Sequence, residues 1–203
     1  MSAIRKAIVA QFRRPTGPLG ALAGHVMSTR PSNRQRNGWT VDLLDPRPGE
    51  TLLEIGCGPG LALDLAAKRT PGAELVGLDH SDVMLSQAKH RLRRDAGLSL
   101  VKGGTEALSR WPDRFDGIYS VNVAQFFEGI DATYDLICRT LKPGGRCVTT
   151  YQPRHRQPTA EDAYRMATRI KDAMERAGFA DIAFYELPLE PVMAVAVTGK
   201  RPD

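Results

Sequence analysis

The sequence predicts a three-layer α/β fold, doubly wound around a mostly parallel sheet. Three observations carry that reading. Short apolar runs alternate with segments of helical period. The first run ends in a glycine-rich turn that opens the next helix. The last two runs are joined by only about four residues, Pro188 to Pro191, so one of them is expected to run antiparallel. The 203-residue chain suits one domain, and 42% apolar with 25% charged residues is an ordinary globular balance. The longest uninterrupted apolar stretch, Val192 to Val197, is far too short to span a bilayer. Cys57, Cys138 and Cys147 show neither a CxxC nor a Cys/His spacing. No disulfide framework or metal site is expected, and a reducing cytoplasm is the simpler setting.

The elements follow in order. Trp39, Val41, Leu43 and Leu44 suggest a helix ending before Pro46. Thr51 to Ile55 reads as a buried strand, Leu61 to Lys68 as a helix and Leu75 to Leu78 as the next strand. Ser81 is placed to cap a helix running to about Arg94, with Leu85, Ala88 and Leu92 on one face. Strands are expected over Leu98 to Val101 and Phe115 to Val121. Tyr134, Ile137, Cys138 and Leu141 mark a helix that should stop at Pro143-Gly144-Gly145, with a strand from Arg146 to Tyr151. Thr159 to Asp162 resembles a capping box. The helix it opens turns Met166, Ile170, Ala173, Met174 and Ala177 inward and ends at Gly178. Two closing strands fall near Ile182 to Leu187 and Val192 to Thr198.

Charge is distributed unevenly. Net charge is +5, yet Arg5, Lys6, Arg13, Arg14, Arg30, Arg34 and Arg36 all lie in the first forty residues, which hold no acid. The rest of the chain is slightly acidic. Residues 1 to 36 read as an irregular basic arm, suited to an anionic substrate, RNA or a membrane surface. A solvated basic face is the bland alternative. Prolines and glycines between Pro15 and Gly24 argue against a transit helix.

The strongest local signal is Leu52 to Gly60, a strand running into Gly56-Cys57-Gly58-Pro59-Gly60 and then a helix. Glycines let the backbone approach a ligand, and a helix N-terminus offers unpaired N–H donors. Asp79 closes the second strand, where an acid can accept both ribose hydroxyls of a nucleoside. A dinucleotide fingerprint would need a third glycine where Leu61 stands. Glu54 would repel a pyrophosphate but suits a cationic ligand. S-adenosylmethionine, with its sulfonium and ammonium groups, is therefore favoured over NAD.

From about Trp39 to Lys200 the chain resembles the class I S-adenosylmethionine-dependent methyltransferases. The resemblance rests on Leu52 to Gly60, Val76-Gly77-Leu78-Asp79, Phe115 to Ser120, Leu141-Lys142-Pro143-Gly144-Gly145 and Glu175 to Phe179. It implies a seven-stranded sheet with its last strand antiparallel, an arm or lid over residues 1–38 and a methyltransferase domain over 39–203. Gly56, Cys57, Gly58 and Gly60 would serve the cofactor's methionine end, with Glu54 near its ammonium. Asp79 would hold the ribose, and His80 and Met84 would lie beside the adenine. Ser120 and Asn122 complete the expected cofactor set. Many relatives carry Gly-Asp-Ala after the third strand, whereas this chain has Gly103-Gly104-Thr105-Glu106. Adenine recognition must then use the backbone near Thr105, or Glu106 reaching round.

Methyl transfer from a sulfonium is an in-line displacement that the protein mainly positions. Acceptor contacts are expected from Trp39, Gln125, Phe126 and Gln152. His155 is the best available base and Tyr151 the second choice. With no large insertion after the fifth strand, the N-terminal segment (Met27, Asn33, Arg34, Asn37) is the natural lid, and deleting residues 1 to 30 is expected to abolish turnover. A small-molecule acceptor is the leading reading. An RNA methyltransferase using the basic arm, or a non-catalytic cofactor-binding protein, are the alternatives. Nucleic acid is not the expected partner, and oligomeric state is unreadable from these residues.

Overall fold

A computed structural model describes residues 30–94 and 97–203. Helix α1 (Pro31–Leu44) leads into β1 (Thr51–Ile55), followed by α2 (Leu61–Arg69), β2 (Glu74–Asp79), α3 (Asp82–Arg91) and β3 (Leu98–Lys102). After a 3-10 turn come β4 (Phe115–Val121), α4 (Ile130–Thr140), β5 (Leu141–Tyr151), α5 (Ala160–Arg176), β6 (Ala180–Leu187) and β7 (Ala194–Lys200). The strands form one seven-stranded sheet in the order β3-β2-β1-β4-β5-β7-β6. The first five pair in parallel, while β7 runs antiparallel to both β5 and β6. This is the expected three-layer, mostly parallel architecture with a reversed last strand.

Central strands buried on both faces read as near-continuous apolar runs. Leu52, Leu75, Tyr119, Val148 and Ala196 belong to an apolar cluster with α1 and α2. Leu53, Ile55, Val76, Ile118, Cys147 and Val195 join a second cluster with α4 and α5. Helix α5 carries a clear apolar period. Ala163, Met166, Ala167, Ile170, Ala173 and Met174 recur at helical spacing and are all buried, and Thr159 with Asp162 forms a full capping box.

Three boundaries depart from expectation. Helix α1 begins at Pro31, inside the segment read as irregular, so a division between residues 38 and 39 falls within one helix. Its N-terminal inward face is polar, with Asn33, Arg36, Asn37 and Thr40 buried ahead of Val41 and Leu44. An apolar-period reading sees only the second half. Strand β5 begins at Leu141, not Arg146. Leu141 pairs with Phe115 before the register jumps to Gly117–Arg146. Between them Lys142 to Gly145 bulge out, held where Gly144 N–H donates to Arg201 O and Arg201 N–H to Gly145 O. Finally, six residues (188–193) link β6 to β7 rather than about four. The basic arm upstream of residue 30, with Met27, lies outside the described residues.

Candidate active site

The turn after β1 is locked to its neighbour strand. Gly56 and Cys57 N–H both donate to Leu78 O, at 2.7 and 3.0 Å. Gly56, Gly58 and Gly60 have φ of +68°, +52° and +76°, a region that disfavours a side chain. The surroundings of the three differ. A Cβ on Gly56 would sit 2.5 Å from a Val123 methyl, and one on Gly60 would sit 2.9 Å from Leu92. At Gly58 no atom lies within 4 Å of that position. Gly58 therefore presents bare backbone, whereas Gly60 is turned into its packing against α3.

Asp79 ends β2 beside this turn and is 7% exposed. Its Oδ2 accepts the Gly58 N–H at 2.8 Å and its Oδ1 the Ser81 N–H at 2.9 Å. A carboxylate has about four acceptor positions, so two remain for ribose hydroxyls. His80 Nδ1 lies 3.9 Å from Asp79 Oδ1 and stays half exposed. Met84 is buried in the first turn of α3, its N–H capped by Ser81.

Glu54 is the most unusual group here. It is 2% exposed, and its Oε2 has no hydrogen-bond partner. The Leu63 N–H, in the first turn of α2, faces the carboxyl. Tyr119, the β4 neighbour of Glu54, turns its buried hydroxyl toward the carboxyl. Burial pushes the Glu54 pKa well above its ordinary value, and nearby Asp79 adds to the rise. Such an acid is poised for a cation to arrive beside it. Burial likewise raises the Cys57 thiol, with Glu54 and Asp79 contributing, so Cys57 stays a neutral thiol and offers its backbone.

At the far end of the cleft, the Glu106 carboxylate folds back and accepts the Gly104 N–H at 2.8 Å. That bond is the main cause of its lowered pKa. A side chain on residue 104 would collide with this carboxylate. Thr105 opens the 3-10 turn alongside, half-buried.

The β4 and β5 ends are tied together. Asn122, left-handed at φ +56°, accepts the Gln152 N–H at 2.8 Å and donates Nδ2 to Gln152 O at 2.9 Å. Gln125 donates to Asn122 O, and its Oε1 is buried without a partner. Phe126 is 43% exposed.

Several expected site residues are engaged elsewhere. Ser120 projects to the α4 side of the sheet, toward Thr149, which also accepts the Tyr134 hydroxyl. Trp39 packs on the apolar cluster under α1. Gln152 is fully buried, and its side chain is committed internally. Its Oε1 accepts from Arg36, while Nε2 donates to Glu190 O and Val192 O. His155 Nε2 lies 3.0 Å from Asp162 Oδ2 at the α5 N-terminus. Burial, with Asp162 nearby, raises the Tyr151 pKa. The two residues expected to act as bases thus share one carboxylate neighbour.

The sequence reading missed Arg36. This arginine is 5% exposed and makes side-chain hydrogen bonds to Gln152 and Asn33. The available signal was its place on one helical stripe with Asn33, Asn37 and Thr40, whose Oγ1 meets Thr150 Oγ1 at 2.7 Å.

A reversed seventh strand, a glycine turn after β1 and an acid closing β2 define the class I methyltransferase fold. Comparison with known proteins agrees. The family described as "Methyltransferase domain" matches residues 53–149. An uncharacterized methyltransferase, YdaC of Bacillus subtilis (strain 168), is 30% identical over 181 residues, covering 89% of this chain and 98% of its own. A nocamycin O-methyltransferase of Saccharothrix syringae is 37% identical over 109 residues, covering 52% of this chain and 39% of its own. The crystal structure of a SAM-dependent methyltransferase from Aquifex aeolicus superposes with TM-score 0.73 at 14% identity, covering 89% and 98% of the two chains. The chain belongs to the S-adenosylmethionine-dependent methyltransferases. Beyond YdaC, it spans only about half or less of the relatives' lengths, and these include methyltransferases of small molecules and of ribosomal RNA. Among the described residues, no helix is long and apolar enough to cross a membrane.

Proposed function

We propose that this enzyme transfers the S-adenosylmethionine methyl group to O, N or S of a small-molecule acceptor. The observation that carries the cofactor assignment is Glu54, a buried acid with an orphaned oxygen beside bare Gly58 backbone. These residues fit a cationic amino-acid moiety and oppose a pyrophosphate. When bound, the cofactor supplies an activated methyl on a sulfonium. Glu54 meets its ammonium, and Gly58 with Cys57 lines its methionine end. Asp79 uses its two remaining acceptor positions for the ribose. Glu106, already filling the space of a side chain at Gly104, reaches the adenine amino group.

The protein's share of catalysis is alignment and exclusion of water, on the order of 7–11 kcal/mol when the geometry is right. The unpartnered Gln125 Oε1 and exposed Phe126 face the acceptor side, beyond the ends of β4 and β5. Where an acceptor must lose a proton, His155 takes it with Asp162 as its carboxylate partner. Tyr151 remains protonated and orients. Three free cysteines fit a reducing cytoplasm.

Thermal-shift and calorimetric titrations test this reading. S-adenosylmethionine and S-adenosylhomocysteine should both stabilise wild type, NAD should not, and Asp79→Asn should weaken both by at least tenfold. Labelled methyl should then reach small acceptors rather than ribosomal RNA. Stabilisation by NAD, or labelling confined to RNA, would overturn the assignment.

A further inference from the structure

Arg36 poses a physical problem that the cofactor site does not solve. Burying a guanidinium is costly unless a charge pairs with it. Yet among the described residues its side chain donates to two neutral amide oxygens, Gln152 Oε1 and Asn33 Oδ1, the latter at 3.0 Å, and its Nε is buried with no partner. A second arginine converges on the same place. Arg154 Nη2 donates to the same Asn33 Oδ1 at 2.7 Å and to Ser32 Oγ at 3.1 Å. Two guanidiniums therefore grip one neutral oxygen, a position where an anion would bind better.

Among the described residues, no acid acts on either guanidinium. Burial and Arg154 push the Arg36 pKa down to about 9. Burial and Arg30 lower that of Arg154. The electrostatic neighbours are arginines in both cases. The sequence upstream of residue 41 contains no Asp or Glu, so no carboxylate side chain of the N-terminal segment can fold onto the pair.

Position identifies the ligand. Gln152, Arg154 and the loop they occupy follow β5, and Gln152 is bonded to Asn122 at the end of β4. In the order β1-β4-β5, two strand spacings, about 10 Å in all, separate the end of β5 from the turn after β1. That is the acceptor side of the cleft. Beside Ser32 lies an open groove of about 610 Å³, lined by residues that include Pro31, Gln35, Leu189, Glu190 and Met193. It offers room for an apolar body attached to an anionic group.

We infer that Arg36 and Arg154, organised by Asn33 and Gln152, bind a carboxylate or phosphate group of the methyl acceptor. The inference rests on the proposed small-molecule reading and names its substrate class. Arg36 is a specificity-determining residue. Its guanidinium and that of Arg154 fix the acceptor's charged end, and the reacting atom extends toward β4.

The test uses the full chain saturated with S-adenosylhomocysteine, so that the cofactor's own carboxylate is already in place. Benzoate and phenyl phosphate are titrated by calorimetry at constant ionic strength, with benzamide as the neutral control. At least one anion should bind saturably and at least tenfold more tightly than benzamide. Arg36→Gln and Arg154→Gln should each cost that anion tenfold or more, and S-adenosylhomocysteine affinity should change less than threefold. Arg154, partly exposed, carries the test if Arg36→Gln fails to fold by circular dichroism. Anion binding no stronger than that of benzamide, or equal in the variants, would overturn the inference. A tenfold loss of S-adenosylhomocysteine affinity in Arg36→Gln would overturn it too, by assigning the pair to the cofactor's carboxylate. Failure of wild type to bind S-adenosylhomocysteine would remove the methyltransferase reading itself, and this inference with it.

Discussion

The two halves of the cleft, divided by β4, carry opposite electrostatics. On the β1–β2 side stand two buried carboxylates, Glu54 and Asp79, among backbone N–H donors. On the β5 side Arg36, Arg154 and Arg30 gather with no acidic neighbour acting on Arg36 or Arg154. Each half leaves a buried polar atom unanswered, Glu54 Oε2 in one and Arg36 Nε in the other. The difference teaches how the site sorts its two ligands. A cation is drawn to one side and an anion to the other, and the reaction lies between them. Both halves are costly to the empty protein, because Glu54 must hold a proton and Arg36 keeps a buried charge without a counterion.

The cofactor half breaks most easily at its turn. Gly56→Ala forces a side chain into the left-handed region and against Val123, 2.5 Å away. Backbone strain plus overpacking should cost about 2–5 kcal/mol, a Tm drop of roughly 5–15 °C for a chain this size. Gly58→Ala has the same backbone penalty with open space around it. It should lose only about 1–2 kcal/mol but at least tenfold in S-adenosylhomocysteine affinity, because the methyl stands where the ligand must approach. Differential scanning calorimetry with titration separates the two. Equal destabilisation would show that the turn is packed alike at both glycines.

Glu54→Gln should sharpen the comparison by trading stability for binding. A raised carboxyl pKa means the folded state holds a proton that the unfolded chain has lost above about the ordinary value of 4.5. Stability is therefore highest below that pH and falls as pH rises beyond it. Glutamine has no such dependence. The unliganded variant should melt about 2–4 °C above wild type at pH 8, with the gap closing near pH 4, while S-adenosylhomocysteine affinity falls at least tenfold. A variant less stable than wild type at pH 8 would show that the Leu63 N–H outweighs the desolvation of Glu54.

The same contrast explains what could be read from the amino-acid sequence. The cofactor half is built mainly from one contiguous strand-turn-helix and the next strand end, so Glu54, Gly58 and Asp79 are visible as a local pattern. The seven strands are legible for the same reason, since central strands are apolar runs. The acceptor half is assembled from residues 116 apart, as in the Arg36–Gln152 bond. Only a polar stripe marks Arg36, because its helix presents amides and a guanidinium inward where an apolar stripe is the usual signal. The direction of the Ser120 side chain is hidden for a related reason. Alternation along β4 puts Tyr119 and Ser120 on opposite faces, and only the pairing shows that Tyr119 is the one beside Glu54.

Asn122→Ala probes the strand that joins the halves. It removes two hydrogen bonds to the Gln152 backbone and a residue type that tolerates φ +56°. A loss of about 1–3 kcal/mol is expected, together with weaker anion binding at the arginines, since Gln152 holds Arg36. S-adenosylhomocysteine affinity should stay within threefold. A larger loss there would mean that Asn122 itself serves the cofactor or that the two halves are mechanically coupled through β4.

Glu106→Gln should have the smallest effect and asks how this chain replaces a missing acid. Its carboxylate occupies the room left by Gly104 and is exposed, so stability should change by no more than about 0.5 kcal/mol. A carboxylate can only accept, and so prefers adenine's amino group over the carbonyl of an inosine analogue. Wild type should therefore bind S-adenosylhomocysteine three- to tenfold more tightly than S-inosylhomocysteine, and Glu106→Gln, which can accept or donate, should lose that preference. Preserved discrimination in the variant would assign adenine recognition to the backbone around Thr105 and leave Glu106 as a local clasp on the Gly104 N–H.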